Sequence, residues 1–341
     1  MRTNSLKMFA LFALAAASLH GQVYWSTTVP DCTGVEGPLQ FTNPATGSGT
    51  VYACYISGTF VWLAAGGPWG TAIRVAAPAS GAVGVDYTFY DESGNNLSLD
   101  TNFGSGTSTT SGNEVDFALS ANQPAEVDLL GAAGGGPGYT NLLDGSVYAT
   151  FYCPDATTCG DVVPQLLYSA LPTYPWSLSV PIAWDTAVWT QWSAEAIDDG
   201  GAHVVGFVVY NEGTTAATYT IRVYNNAGTL VGTGTTPSIP GFQPLAGGYY
   251  GEAGTYSALL RQVVPTLPSG VFKILIDGGS AYSAIEVLQI TGASATTLQV
   301  AYDTSPSAGA AVTSAQARRA KEINTRAAAA AKRVFSPVPT R

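Results

Sequence analysis

Apolar residues recur along this chain in short runs without helical spacing. Five runs in the first half are rich in β-branched and aromatic residues: 50–65 (TVYACYISGTFVWLAA), 71–78 (TAIRVAAP), 85–91 (VDYTFYD), 146–153 (SVYATFYC) and 164–171 (PQLLYSAL). The second half offers 203–211 (HVVGFVVYN), 217–225 (ATYTIRVYN), 271–277 (VFKILID) and 284–291 (AIEVLQIT). Gly, Pro, Asn and Asp punctuate them. Many short strands at such spacing predict an all-β protein of sandwich or barrel type. No 3.6-residue apolar pattern of useful length precedes residue 314.

The order of the runs repeats. VDYTFYDESGNNL (85–97) aligns with YTIRVYNNAGTLV (219–231), placing Tyr90 on Tyr224 and Gly94 on Gly228. Upstream, AIRVAAPASGA and GFVVYNEGTTA each end a strand at a turn; downstream, DGSVYATFYC echoes PSGVFKILID. Each echo precedes a further turn and strand. Four echoes in one order predict an internal duplication. The expectation is therefore two tandem antiparallel β-sandwich domains, 22–170 and 171–305. Prolines in 170–177 (ALPTYPWS) would stiffen a linker between them.

The opening PWGTAIRV (68–75), a turn, and a strand ending in Tyr-Asp-x-x-Gly (FYDESGNNL, 89–97) resemble a known pattern. It is that of the tandem β-sandwich modules of secreted proteins from acidobacterial-type soil bacteria. The resemblance covers about two thirds of the chain. It implies an extracellular immunoglobulin-like sandwich and no particular activity. The second copy departs from it, since His203 stands near where the Trp69 strand would begin.

The N-terminus adds a destination. Arg2 and Lys7 precede the ten-residue apolar run Met8–Ala17, and small residues around Ser18 and Gly21 follow. That is the pattern of a secretory signal peptide, expected over 1–21. The run is too short to span a bilayer, which takes about 20 residues. The four cysteines, Cys32, Cys54, Cys153 and Cys159, are an even number in an exported chain and so read as disulfides. Three pairings are possible. The local one, Cys32–Cys54 with Cys153–Cys159, is favoured, and the second pair would clamp a hairpin tip at PDATT. Zinc is disfavoured because CxxC pairs are missing and neither histidine lies near the cysteines.

Charge is sparse and segregated. Charged residues make up 11% of the chain, against about 25% in typical domains. Between Gln22 and Ala315 the basic residues are Arg74, Arg222, Arg261 and Lys273 against 22 acidic ones, a net of −18. An acidic body argues against nucleic acid as its ligand, because phosphate contacts need clustered Lys and Arg. Residues 306–341 form a basic tail carrying Arg318, Arg319, Lys321, Arg326, Lys332 and Arg333. Within it, 314–335 is the one helical candidate: Ala and Arg are good helix formers, and Arg318, Glu322 and Arg326 pair at i, i+4. Its apolar stripe (Ala320, Ile323, Ala327, Val334) is thin, so the helix is marginal without a docking partner. The tail reads as a solvated extension, as a segment folded onto the acidic body, or as an attachment to anionic cell-surface polymer or lipid.

Catalytic chemistry is hard to place. The chain has no G-x-S-x-G elbow, H-E-x-x-H or P-loop, and a Ser-His-Asp triad would have to use His203, which starts a strand. Paired carboxylates remain open to a glycoside-active enzyme, which needs two acids about 5–10 Å apart. Most acids sit at turns (Asp91, Glu92, Asp144, Asp155, Asp161, Asp198, Asp199), while Glu114, Glu126, Glu195 and Glu286 lie in or beside strands. No cofactor is implied. DESGNN (91–96) imitates a calcium loop, but the positions requiring Gly and Glu hold Asn96 and Asn102. Structural calcium at another acidic loop stays open. Trp176, Trp184, Trp189 and Trp192, with Tyr168 and Tyr174, are the candidate ligand-binding residues, since aromatic faces stack on sugar rings and a nearly uncharged surface suits a neutral polysaccharide. The competing reading makes them aromatics of the core and domain junction, the reading given also to Trp62 and Trp69. The leading expectation is a secreted, non-catalytic extracellular or cell-surface interaction or structural protein. Its alternatives are polysaccharide binding through the tryptophans and a carboxylate-pair enzyme.

Overall fold

A computed structural model describes residues 24–302, apart from 44–45, 68, 104–109, 135–140, 171–173, 185–188, 243–252, 292–293 and 298–300. The expected signal peptide and the whole basic tail, Arg318, Arg319, Lys321, Arg326, Lys332 and Arg333 included, lie outside the described residues. The described chain is all-β, in four antiparallel sheets.

Sheet 1 runs β1 (Glu36–Thr42), β2 (Thr50–Ala65), β9 (Leu143–Cys153), β4 (Val83–Asp91) and β7 (Glu114–Leu119), with β12 (Ala183–Trp184) also on β2. Sheet 2 runs β11 (Tyr174–Pro181), β10 (Gln165–Ala170), β3 (Trp69–Ala76), β8 (Pro124–Ala132), β5 (Leu99–Phe103) and β6 (Thr110–Gly112). Phe60, Val85, Tyr87, Phe89, Val147 and Phe151 of sheet 1 meet Ile73, Leu99, Val127, Leu129 and Leu166 of sheet 2 in one buried core. Burying each such side chain contributes about 1.5–3 kcal/mol. Alternation along β3, buried at Thr71, Ile73 and Val75 and exposed at Arg74 and Ala76, fits a sheet with one wet face.

Sheet 3 runs β16 (Leu230–Thr235), β15 (Thr220–Asn225), β18 (Gly270–Asp277), β13 (Gln191–Asp198) and β21 (Ala301–Tyr302). Sheet 4 runs β17 (Thr255–Leu259), β14 (His203–Asn211), β19 (Ser283–Thr291) and β20 (Ser294–Thr297). Sheet 3 alternates, with Ile221 and Val223 inward. Sheet 4 does not: β14 is buried from Val205 to Asn211 and β19 from Ser283 to Gln289. A strand covered on both faces loses alternation, which explains the unbroken VVGFVVY run. Val205, Phe207 and Val209 face the second sandwich's core, whereas Val208 and Tyr210 join the core of the first.

The strand pairing departs from two sequence expectations. The segment 170–177 is not a linker: β10 and β11 pair from Gln165–Pro181 to Ala170–Tyr174 as a hairpin of sheet 2. The chain then crosses to sheet 1, where Ala183 and Trp184 pair with Thr59 and Gly58. By strand pairing the first sandwich thus extends to Trp184. PDATT is not a hairpin tip either. A short helix, α1 (Ala156–Gly160), turns the chain between sheets 1 and 2, and Asp155 Oδ1 accepts the Thr158 N–H at 2.8 Å to cap it. A second short helix, α2 (Leu260–Val263), follows β17; Arg261 ties it to buried Asp198 at 2.5 Å.

Candidate functional site

The structure separates the four candidate tryptophans. Trp192 lies on β13, 6% exposed inside the second core, and its indole N–H donates to the Ser283 carbonyl at 3.1 Å. It is therefore a packing residue and not a stacking surface. Trp189 is half-buried against the same core. Trp176 and Trp184 stand on β11 and β12; their side chains lie outside what is described. Trp184 and Trp192 do not share a strand, because β12 belongs to sheet 1 and β13 to sheet 3.

A different aromatic group sits where the sandwiches meet. Trp62 and Trp69 form an edge-to-face pair with centroids 5.0 Å apart, and Tyr168 lies 4.8 Å from Trp62. The Tyr168 hydroxyl donates to the Trp62 carbonyl at 2.6 Å. Val208, Tyr210, Phe242, Ala253, Ala284 and Leu288 of the second half complete this core. Thr255 locks the rim: its N–H donates to the Glu92 carbonyl at 3.0 Å, and its hydroxyl to the Val61 carbonyl at 3.1 Å. Gly254 is required there, since a Cβ would come within 2.7 Å of the Glu92 carbonyl oxygen.

Three carboxyls share this joint. Asp144 accepts the Trp62 indole N–H at 3.2 Å, Glu92 faces the Ser257 hydroxyl at 3.5 Å, and Glu286 lies on β19 opposite Val208. Burial raises the Asp144 carboxyl above its usual range; burial first, then the nearby Asp144 charge, raises that of Glu92. Glu286 is 7% exposed, burial pushes it up to about 8, and its Oε1 has no hydrogen-bond partner among the described residues. Perturbed carboxyls of this kind mark functional sites more often than ordinary ones. Of the other strand acids, Glu126 pairs with Arg74 on the wet face of sheet 2, and Glu195 is exposed.

The opposite feature is polar and open. A groove of about 790 Å³ is lined by Trp25, Ser26, Thr27, Pro30, Asp31 and Thr33 on one side and by Pro154, Asp155, Ala156 and Thr157 on the other. The favoured cysteine pairing is the observed one, Cys32–Cys54 and Cys153–Cys159. Cys54 and Cys153 are cross-strand partners in the β2–β9 ladder, so both groove walls are tied to one rung. Asp31 Oδ1 accepts from the Thr33 hydroxyl and N–H, which lower its pKa and keep it ionised.

The DESGNN loop uses its oxygens internally. Asp91 Oδ1 accepts the Ser93 and Asn95 N–H groups, both at 2.9 Å. Among the described residues no three His, Cys, Asp or Glu side chains come together in a way that could hold a metal ion. His203 opens β14 and pairs with Asp199 at 2.9 Å on the surface. No family model, curated protein or solved structure matches this chain.

Proposed function

We propose that the protein is an extracytoplasmic, non-catalytic interaction or structural protein whose two sandwiches work as one rigid body. The observation that carries this reading is the joint, where one apolar core continues from Trp62 and Tyr168 into Val208, Tyr210 and Leu288. An interface that resembles a domain core holds its partners in fixed orientation, unlike a flexible linker. Two disulfides and the signal-like N-terminus support export. The repeated turn at Gly94 and Gly228 supports reading the halves as duplicated immunoglobulin-like modules. Calorimetry of the full chain tests the rigid body: one cooperative transition is expected, and two well-separated transitions overturn it.

Saccharide binding is the second reading, favoured by the groove instead of the tryptophan cluster. Its walls offer Ser26, Thr27, Thr33 and Thr157 hydroxyls and two carboxylates, with no basic residue. Hydroxyl-rich neutral ligands suit such a lining, and the two cross-linked walls lower the ordering cost of binding. Retention of the full chain on insoluble neutral polysaccharides, weakened by Asp155→Ala and unchanged by Trp192→Phe, is the expected result. Retention lost only in Trp176→Ala or Trp184→Ala moves the site back to the tryptophans; no retention on any glycan removes the reading.

A further inference from the structure

β19 sorts its side chains between two cores. Ile285 and Val287 enter that of the second sandwich, while Ala284 and Leu288 enter the one shared with the first. Glu286 lies between Ala284 and Leu288 and therefore faces the joint. Its strand partner there is Val208, another member of the shared core. An acid in the middle of an apolar interface, with one oxygen unpartnered among the described residues, calls for a reason.

Among the described residues the surroundings supply no counter-charge. From β10 the Tyr168 phenol is close enough to feel the Glu286 charge. From β9 comes Asp144, which acts on the same phenol. The β4–β5 turn brings Glu92, and β14 brings the Tyr210 ring. β20 (SATT) and β11 (YPWSLSVP) contain no charged residue. The ion pairs of the described residues, Arg74–Glu126, His203–Asp199, Arg222–Asp277 and Arg261–Asp198, involve none of the joint acids.

We propose that the joint is a pH-graded latch, tight while Glu286 carries its proton and progressively weaker as that proton is lost. A neutral carboxyl is tolerated in an apolar interface, whereas an ionised one without a partner is not. When the sandwiches part, Glu286 meets water and titrates near 4.5; docked, it holds its proton up to about 8. The docked state thus binds more protons between those values. Docking is fully supported below about 4.5, loses support as pH rises, and levels off above about 8. Asp144 and Glu92, both raised, push in the same direction.

Hydrogen exchange of the full chain reads this directly. The reporter is the Thr255 amide, whose acceptor is the Glu92 carbonyl across the joint; amides of 271–277 within sheet 3 serve as control. Protection factors, which remove the intrinsic pH dependence of exchange, are compared for wild type and Glu286→Gln from pH 5 to 9. The ratio of wild-type to variant protection at Thr255 should fall by up to about tenfold per pH unit to about pH 8, then flatten. The control amides should show no such ratio change. A ratio constant across the range overturns the proposal, as does an equal loss at the control amides, which would report unfolding of the second sandwich. Should Glu286→Gln not fold, Glu286→Leu serves, because a leucine matches the apolar neighbours and equally removes the titration.

Discussion

At Asp91 and at Asn225 the chain turns in the same way. Each residue's Oδ1 accepts the backbone N–H groups two and four positions on, at 2.9–3.0 Å. Each turn places a glycine at positive φ, Gly94 at 80° and Gly228 at 74°. The two corners then part company. Asn225–Thr229 closes the β15–β16 hairpin within sheet 3 and its tip stands in water. After Asp91–Asn95 the chain pairs briefly, Leu97 N–H to Phe89 carbonyl, and then leaves for sheet 2. Its Glu92 carbonyl receives the second sandwich. The lesson is that one local device, an Asx-type turn with a glycine free to take positive φ, fixes a corner's shape without fixing what the corner touches.

Substitutions can break that comparison at graded strength. The largest effect is expected from Trp62→Ala, which opens a cavity in the joint and leaves Asp144 without its indole donor. A loss of about 3–5 kcal/mol is expected in urea unfolding. Its counterpart beside the exposed corner, Leu230→Ala, should stay within about 0.5 kcal/mol; equal effects would mean that the joint is not a packed core. Next comes Gly254→Ala. The added methyl would press on the Glu92 carbonyl oxygen and on Pro240 Cδ, both within 2.7 Å, for an overpacking cost of about 1–3 kcal/mol. Exchange at Thr255 should rise while that at Thr229 stays fixed.

Smaller effects sharpen the comparison. Asp91→Ala and Asn225→Ala each remove one acceptor of two backbone bonds. A carboxylate oxygen accepts more strongly than an amide oxygen, so about 1–2 kcal/mol is expected at Asp91 and about 1 at Asn225. Equal thermal shifts would mean that the carboxylate adds nothing over the amide. Gly228→Ala, of similar size, meets open space, so its cost in urea unfolding is backbone strain alone, about 1–2 kcal/mol.

The long strands were legible because they are long and apolar: 50–65 and 203–211 are β2 and β14 residue for residue. The short polar strands were not. β5 (LDTNF) and β6 (TSG) are built mostly from Asp, Thr, Asn, Ser and Gly, and such segments join sheets through backbone bonds that side-chain periodicity does not report. β11 hid behind its prolines, which edge strands tolerate. The cysteine pairing was readable from local separation, whereas the joint was not, because it brings Trp62 to β14 and β19 across some 150–220 residues of sequence. One signal was present: in AIEVLQI a lone Glu interrupts a strand apolar on both parities, and the parity it shares with Ala284 and Leu288 is the one that faces the joint.

The shared rung of Cys54 and Cys153 has a consequence for how the protein is made. These two sulfurs stand side by side once β2 and β9 pair, yet neither bonds the other. What separates them during synthesis is time. Cys32 and Cys54, 22 residues apart, both emerge long before Cys153. An oxidant meeting the nascent chain therefore finds a single possible pair, and the last two cysteines close over 6 residues afterwards. A reduced full-length chain refolded in bulk has no such order. Its β2–β9 ladder can form first, and a Cys54–Cys153 cross-link competes through thiol–disulfide exchange. Bulk refolding should yield a measurable fraction of that isomer by peptide mapping, and oxidation of the chain as it lengthens should not.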